Sequence, residues 1–259
     1  MSTEASPQAE FARVVEAFKD RLARRQVDDP SPRRPDMMTR SNYADEIERQ
    51  LEEDGHHTWG FVIYRTCYGN NTDEDWAEFL KRLRWRMEWT FDRYNGRDIL
   101  DLFTLTVIDD RELNGASTAA VREHFRQWCI TAPQSEQQQS TGGSSEIRPG
   151  QSPRYRYAIQ VDAASLQSVV YDTLAPPALD PSKKGWVKLI DASWQAVLPP
   201  ETLQRFYEPI EGVVQNDVGW MKIPYQHVMT EYYVLGRDRN FWPVYYDRPP
   251  FVIGWPYDE

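Results

Sequence analysis

Apolar residues recur at helical spacing near the start of the chain and at strand spacing after residue 58. Phe11, Val14, Val15, Phe18 and Leu22 repeat at intervals of three and four, with charges between them. That spacing predicts an amphipathic helix over 10–25. The prolines of DDPSPRRPDMMTR end it. Tyr43, Ile47 and Leu51 form a second stripe over 43–53. Residues 1–55 therefore read as an N-terminal helical arm, packed on a main body or docked on a partner.

From Trp59 the pattern changes. WGFVIYRTCY is an apolar run of strand length, and TDEDWAEFLKRLRWRMEWTF is helical, with Trp76, Leu80, Leu83, Met87 and Phe91 on one stripe. LFTLTVI, 102–108, predicts a second strand. STAAVREHFRQWCI predicts a helix capped by Ser117, with Val121, Phe125 and Trp128 inward. Residues 131–153 hold mainly Gln, Ser, Gly and Pro and predict a disordered low-complexity insert. RYRYAIQVD then alternates, Asp162 is placed to cap the helix AASLQSVVYD, and WVKLID and VGWMKIP predict further strands. YQHVMTEYYVLG predicts a helix or edge strand, and FWPVYYDRPP a final strand.

This order predicts an α+β fold: a ferredoxin-like split β-α-β core, with an added C-terminal strand and helix region and the N-terminal arm. The chain divides into the arm, 1–55, and one α+β domain, 56–259, carrying the insert. The alternative is an α/β doubly wound sheet. Its usual glycine-rich turn after the first strand is missing, since CYGNNTDED has one glycine, and this argues against a dinucleotide site.

The blocks TWGFVIYRTCYG, GASTAAVREHF, GWVKLIDASW, DVGWMKIP and VYYDRPP resemble a family of uncharacterised proteins from filamentous ascomycete fungi. The resemblance covers residues 57–250 apart from 134–153. It implies a fungal, intracellular origin and transfers no activity, cofactor or site residue.

Composition narrows the function classes. With 40% hydrophobic residues over 259 positions, the chain is large enough to bury a sizeable core. A net charge of −10 argues against a generic nucleic-acid binder, which carries a basic footprint. Two cysteines are too few for a disulfide framework, and the N-terminus MSTEASPQAEF has no basic segment followed by an apolar one. A soluble protein of the cytoplasm or nucleus, not secreted by a signal peptide and not in a membrane, is the expectation. Nothing in the sequence sets its oligomeric state.

The candidate chemistry gathers at predicted strand ends. His56 and His57 lack the further convergent ligands a metal site needs and read as a solvated turn, so neither a metal nor a cofactor is expected. Cys67 is a candidate nucleophile if Arg65 favours its thiolate. Asp109, Asp110 and Glu112 leave the second strand, where carboxylates can divide acid and base roles or suit a helix N-terminus. In the ferredoxin-like order Arg65 and Cys67 meet these acids at one sheet edge, joined by Arg154, Arg156 and Trp186, with Tyr64 nearby as a ligand contact. The leading expectation is a non-catalytic scaffold or interaction protein with an unknown protein partner. The alternative is an enzyme or binding protein of fungal specialised metabolism that takes a small apolar or planar ligand at that edge.

Overall fold

Five strands form one mixed sheet in a computed structural model whose described residues are 31–37, 40–69, 72–138, 147–196 and 207–254. The helix expected at 10–25 and the middle of the expected insert, 139–146, lie outside them. The strands are β1 (Val62–Arg65), β2 (Thr106–Ile108), β3 (Tyr157–Val161), β4 (Trp186–Asp191) and β5 (Trp220–Pro224). Their order is β2-β1-β3-β4-β5. β1 pairs in parallel with β2 on one side and β3 on the other, whereas β3–β4 and β4–β5 are antiparallel. The helices are α1 (Tyr43–Asp54), α2 (Thr72–Arg93), α3 (Arg97–Leu100), α4 (Thr118–Gln137), α5 (Ala163–Val170), α6 (Glu231–Leu235) and α7 (Phe241–Tyr245).

The α+β class is therefore the one the sequence predicts, but the strand order departs from the ferredoxin-like core. There β3 lies between β1 and β2 and runs against both; here β1 and β2 are direct neighbours and β3 runs with β1. The connection accounts for this. Helix α4 has 20 residues, about 30 Å of rise, and returns the chain along the whole sheet, so β3 starts at the edge where β1 starts. The first three strands thus have the parallel arrangement of the doubly wound alternative, and β4 and β5 make the sheet mixed.

Both faces are covered. Phe61, Ile63, Ile159, Val161, Val187, Leu189 and Met221 pack with Ile47 and Leu51 of α1, with Phe79, Leu83 and Phe91 of α2, and with Leu166 and Val169 of α5. Val62, Tyr64, Ala158, Ile190 and Trp220 pack on the other face with Val121 and Phe125 of α4. The run FVIYR is apolar without alternation because β1 is buried on both sides, as interior parallel strands are. The second stripe of the arm, α1, is part of the main core. Asn42 caps it, accepting from the amides of Ala44 and Asp45.

Three expectations need correction. FWPVYYDRPP forms no strand: Phe241–Tyr245 is a helix. Pro243 falls in its first turn, where no intrahelical donor is needed; Trp242 stacks on Tyr157 and Phe241 meets that ring edge-on. The ends of the 131–153 insert are structured. Helix α4 continues to Gln137, which is buried, and Pro153–Tyr155 form a 3-10 turn. Low apolar content misleads there because the Gln137 amide replaces a backbone partner, accepting from the N–H groups of His57 and Thr58 and donating to Thr58 O and the Tyr155 hydroxyl. His56 is buried rather than solvated, its Nε2 3.0 Å from Arg148 O. At the outer edge of the sheet, Val252 bridges Lys222 of β5 in parallel, and the Ile253 amide donates to Lys222 O at 3.0 Å.

Candidate functional site

The exit of β1 does carry a mixed-charge cluster. Arg65 is buried, and its guanidinium reaches Asp109 Oδ2 at 3.4 Å, the Asp73 carboxylate, Thr72 Oγ1 at 3.4 Å and Cys67 O at 3.2 Å. It also stacks on Tyr68 and Trp76. The Tyr68 hydroxyl donates to Asp109 Oδ1 at 2.9 Å. Burial and that bond raise the Tyr68 pKa. The cluster is saturated: it ties the start of α2 to the β2 exit. Asp110 turns back to accept from the Glu112 amide at 2.9 Å, and both acids are exposed, on a turn whose Arg111 meets Asp73 at 3.7 Å and the Tyr68 ring. Burial pushes the Cys67 thiol up to about 11, and Arg65 offsets only part of this. At neutral pH it is a thiol and a poor nucleophile.

Arg154 and Arg156 lie at the opposite edge. Because β3 runs parallel to β1, its start is far from the exit of β1. Arg154 is fully buried, forks onto Glu136 at 2.7 and 2.8 Å, and donates to Gly60 O and Thr106 Oγ1, each at 2.6 Å. Arg156 donates to the carbonyls of Gly236 and Arg237. Tyr64 faces α4, its hydroxyl 2.9 Å from His124 Nδ1. Trp186 does start β4 at the edge where β1 and β3 end, and Lys222 Nζ sits 3.7 Å from its ring centroid. These are structural contacts, and they do not converge on one site.

What does converge lies between the ends of β1 and β3. The strand order reverses at β1, since the chain steps from β1 to β2 on one side and returns to β3 on the other. In open α/β sheets such a reversal opens a crevice beyond the strand C-termini. Here a cleft of about 630 Å³ sits there, walled by Thr66, Cys67, Asn114–Ser117, Asp162–Ala164, Lys188 and Glu211. Gly115 N donates to Thr66 O at 2.9 Å, and Asn114 Oδ1 accepts from Tyr68 N at 3.0 Å, so the loop before α4 is fastened over the β1 exit. Three helices start at its rim, each presenting small residues or a short cap: Thr72 for α2, Gly115-Ala116-Ser117 for α4, and Asp162-Ala163-Ala164 for α5. Ser117 and Asp162 cap α4 and α5, accepting from the amides of Ala120 and Ser165.

The charged groups in the cleft form one chain. Lys188 Nζ, largely buried, lies 3.0 Å from Asp162 Oδ2 and 3.6 Å from Glu211 Oε1, with the Trp220 ring 4.5 Å away. Glu211 Oε2 in turn accepts from Thr118 N at 3.0 Å and Thr118 Oγ1 at 2.6 Å, on the first turn of α4. Burial raises the Asp162 pKa, but Lys188 and the bonds from Ser165 outweigh it and leave the carboxyl below its ordinary value. Glu211 reaches this position from a tight turn between Ile210 and Val213, at a φ of 48°.

Of the sequence candidates, the cleft includes Cys67 alone. Lys188 and Gln160 are not among those candidates, although each is a polar residue inside a strand covered on both faces, in WVKLID and YAIQV. That interruption is the signal that could have found them. Glu211, 93 positions from Thr118, leaves no such trace. Among the described residues no group of three or more His, Cys, Asp or Glu is placed to hold a metal ion, and no helix is long and apolar enough to cross a membrane. No family model, curated protein or solved structure matches the chain.

Proposed function

We propose that the protein binds a small polar molecule in the cleft between the ends of β1 and β3. The observation that carries this reading is the coincidence of the cleft with the reversal of strand order, where the fold leaves helix N-termini and a buried lysine around open space. The reading concerns binding. The thiol in the wall is protonated at neutral pH.

Ala164 provides the test. It is exposed, lies in the first turn of α5 and lines the cleft, so Ala164→Phe should fill the space without disturbing the core. A library of metabolite-sized polar compounds is screened by thermal shift. A true ligand at 100 times its dissociation constant adds about 2.7 kcal/mol to wild type and loses most of that effect in Ala164→Phe. Equal shifts in both proteins for every compound would refute the cleft as the site.

The scaffold reading keeps one observation in its favour. Tyr171, Leu174 and Leu179, at 65%, 74% and 57% exposure, stand on the loop after α5. Exposed apolar side chains of this size are the kind that protein partners cover. Pull-down with Leu174→Ser against wild type tests it, since a specific partner should be lost.

A further inference from the structure

We infer that the cleft takes a ligand carrying an oxyanion, a carboxylate or a phosphate, which displaces Glu211 from the start of α4 and pairs with Lys188. The inference rests on the binding reading above and names the ligand class. Glu211 occupies the place such a group would take. One oxygen accepts from the amide and hydroxyl of Thr118, and the other faces Lys188. This is how a helix N-terminus and a lysine hold a carboxylate or phosphate oxygen. With Glu211 withdrawn, the Thr118 amide and hydroxyl are left without it. The neighbouring Ala119 amide belongs to the same first turn and has no intrahelical acceptor. Asp162 is not the displaceable acid, because it caps α5 through both the amide and the hydroxyl of Ser165.

A second observation lies just behind the cleft wall. Gln160 is fully buried and stands directly across from Lys188 in the β3–β4 pair, so the two side chains share one face of the sheet. Its Nε2 donates to Thr66 Oγ1 at 3.0 Å and to Ala116 O at 2.9 Å, and both of those residues line the cleft. The bond to a carbonyl fixes which end of the amide is nitrogen. The other end, Oε1, is buried and has no partner. A buried acceptor without a donor is costly. It lies behind the cleft wall, so a ligand reaches it only by parting Thr66 from Ala116.

Glu211 also fits the role of a removable occupant. It projects from a two-residue turn whose backbone is in the left-handed region, and its side chain is 30% exposed. Glycine suits that backbone without penalty. Glu211→Gly therefore removes the competitor while keeping the turn.

The probes are inorganic phosphate and succinate, titrated calorimetrically at constant ionic strength into wild type, Glu211→Gly and Ala164→Glu. Ala164→Glu adds a carboxylate at the cleft mouth in a helix first turn, which tolerates acids, so it should fold normally. At least one probe should bind Glu211→Gly about tenfold more tightly than wild type, as expected when a charge-assisted internal bond no longer competes. Binding should be lost in Ala164→Glu; which probe gains more identifies the oxyanion. Equal affinity in wild type and Glu211→Gly, or binding that survives in Ala164→Glu, would overturn the inference. Ribose and glucose serve as neutral probes that separate the two readings. If they bind in a way that Ala164→Phe abolishes while both anions fail, the oxyanion is wrong and the cleft stands. If no probe of either kind binds, both fall.

Discussion

Arg154→Ala should destabilise the fold by about 3–5 kcal/mol, the cost of breaking a buried ion pair from one side. The Arg154 side chain is fully buried, and its guanidinium holds three segments together: Glu136 of α4, Gly60 before β1, and Thr104 and Thr106 around β2. Bonds to a charged group are worth roughly 1.5–3 kcal/mol each. Their sum overshoots, because water enters the vacated space and the Glu136 side chain, 22% exposed, regains part of its hydration. At roughly 2–4 °C per kcal/mol for a chain of this size, the melting temperature should fall by about 6–20 °C. Urea denaturation reads the loss as a lower midpoint at unchanged slope. The double variant Arg154→Met with Glu136→Leu should recover more than half of it, since apolar replacement of both partners avoids the stranded carboxylate. A loss below about 1 kcal/mol, or a double variant no better than the single one, would show that the clamp is not what joins these segments.

Two further outcomes follow from the titrating groups. Burial pushes the Cys67 thiol up to about 11, so its alkylation by iodoacetamide at pH 8, followed by peptide mass spectrometry, should run about a hundredfold slower than for a free peptide thiol. An inflection of the rate near pH 8 would contradict the burial argument. Asp162 has its carboxyl held below the ordinary value, so its contribution to stability is present at neutral pH, above the unfolded pKa of about 3.9, and is lost as pH falls through the lowered folded value. Asp162→Asn keeps the α5 cap but leaves Lys188 with Glu211 as its remaining carboxylate, and should cost about 1–2 kcal/mol at pH 7. The gap from wild type should close below pH 4, and a gap independent of pH would sink the assignment.

Local structure was legible where one periodicity ruled. Trp76, Leu83, Met87 and Phe91 announce α2, Ser117 and Asp162 announce their helices, and WVKLID announces β4 to the residue. Strand order was not legible, because it depends on how far α4 carries the chain before β3 begins, and no residue of β3 encodes its neighbours. That one difference moved Arg154 and Arg156 from the expected site to the far edge. The mixed-charge cluster at the β1 exit was legible, because Arg65 leaves β1 beside the acids that follow β2. Arg65 does meet Asp109, but Asp73 and Tyr68 complete the cluster and leave it closed. The open space lies one strand over, bounded by residues distant in sequence that only the finished fold assembles.

The pairing of Val252 and Ile253 with Lys222 has a consequence for how the molecule behaves in a crowded solution. A sheet edge with free amides and carbonyls recruits strands from other chains. At one edge β2 is three residues long, too short to template much. At the other, the segment after Phe251 lies along β5 and satisfies the Lys222 carbonyl. A protease cut between Arg248 and Phe251 would free that segment and expose a five-residue strand, Trp220–Pro224, whose only break is its terminal proline. The nicked protein would keep most of its core and still gain a surface on which copies can stack, so the last residues of the described chain act as a guard against self-association.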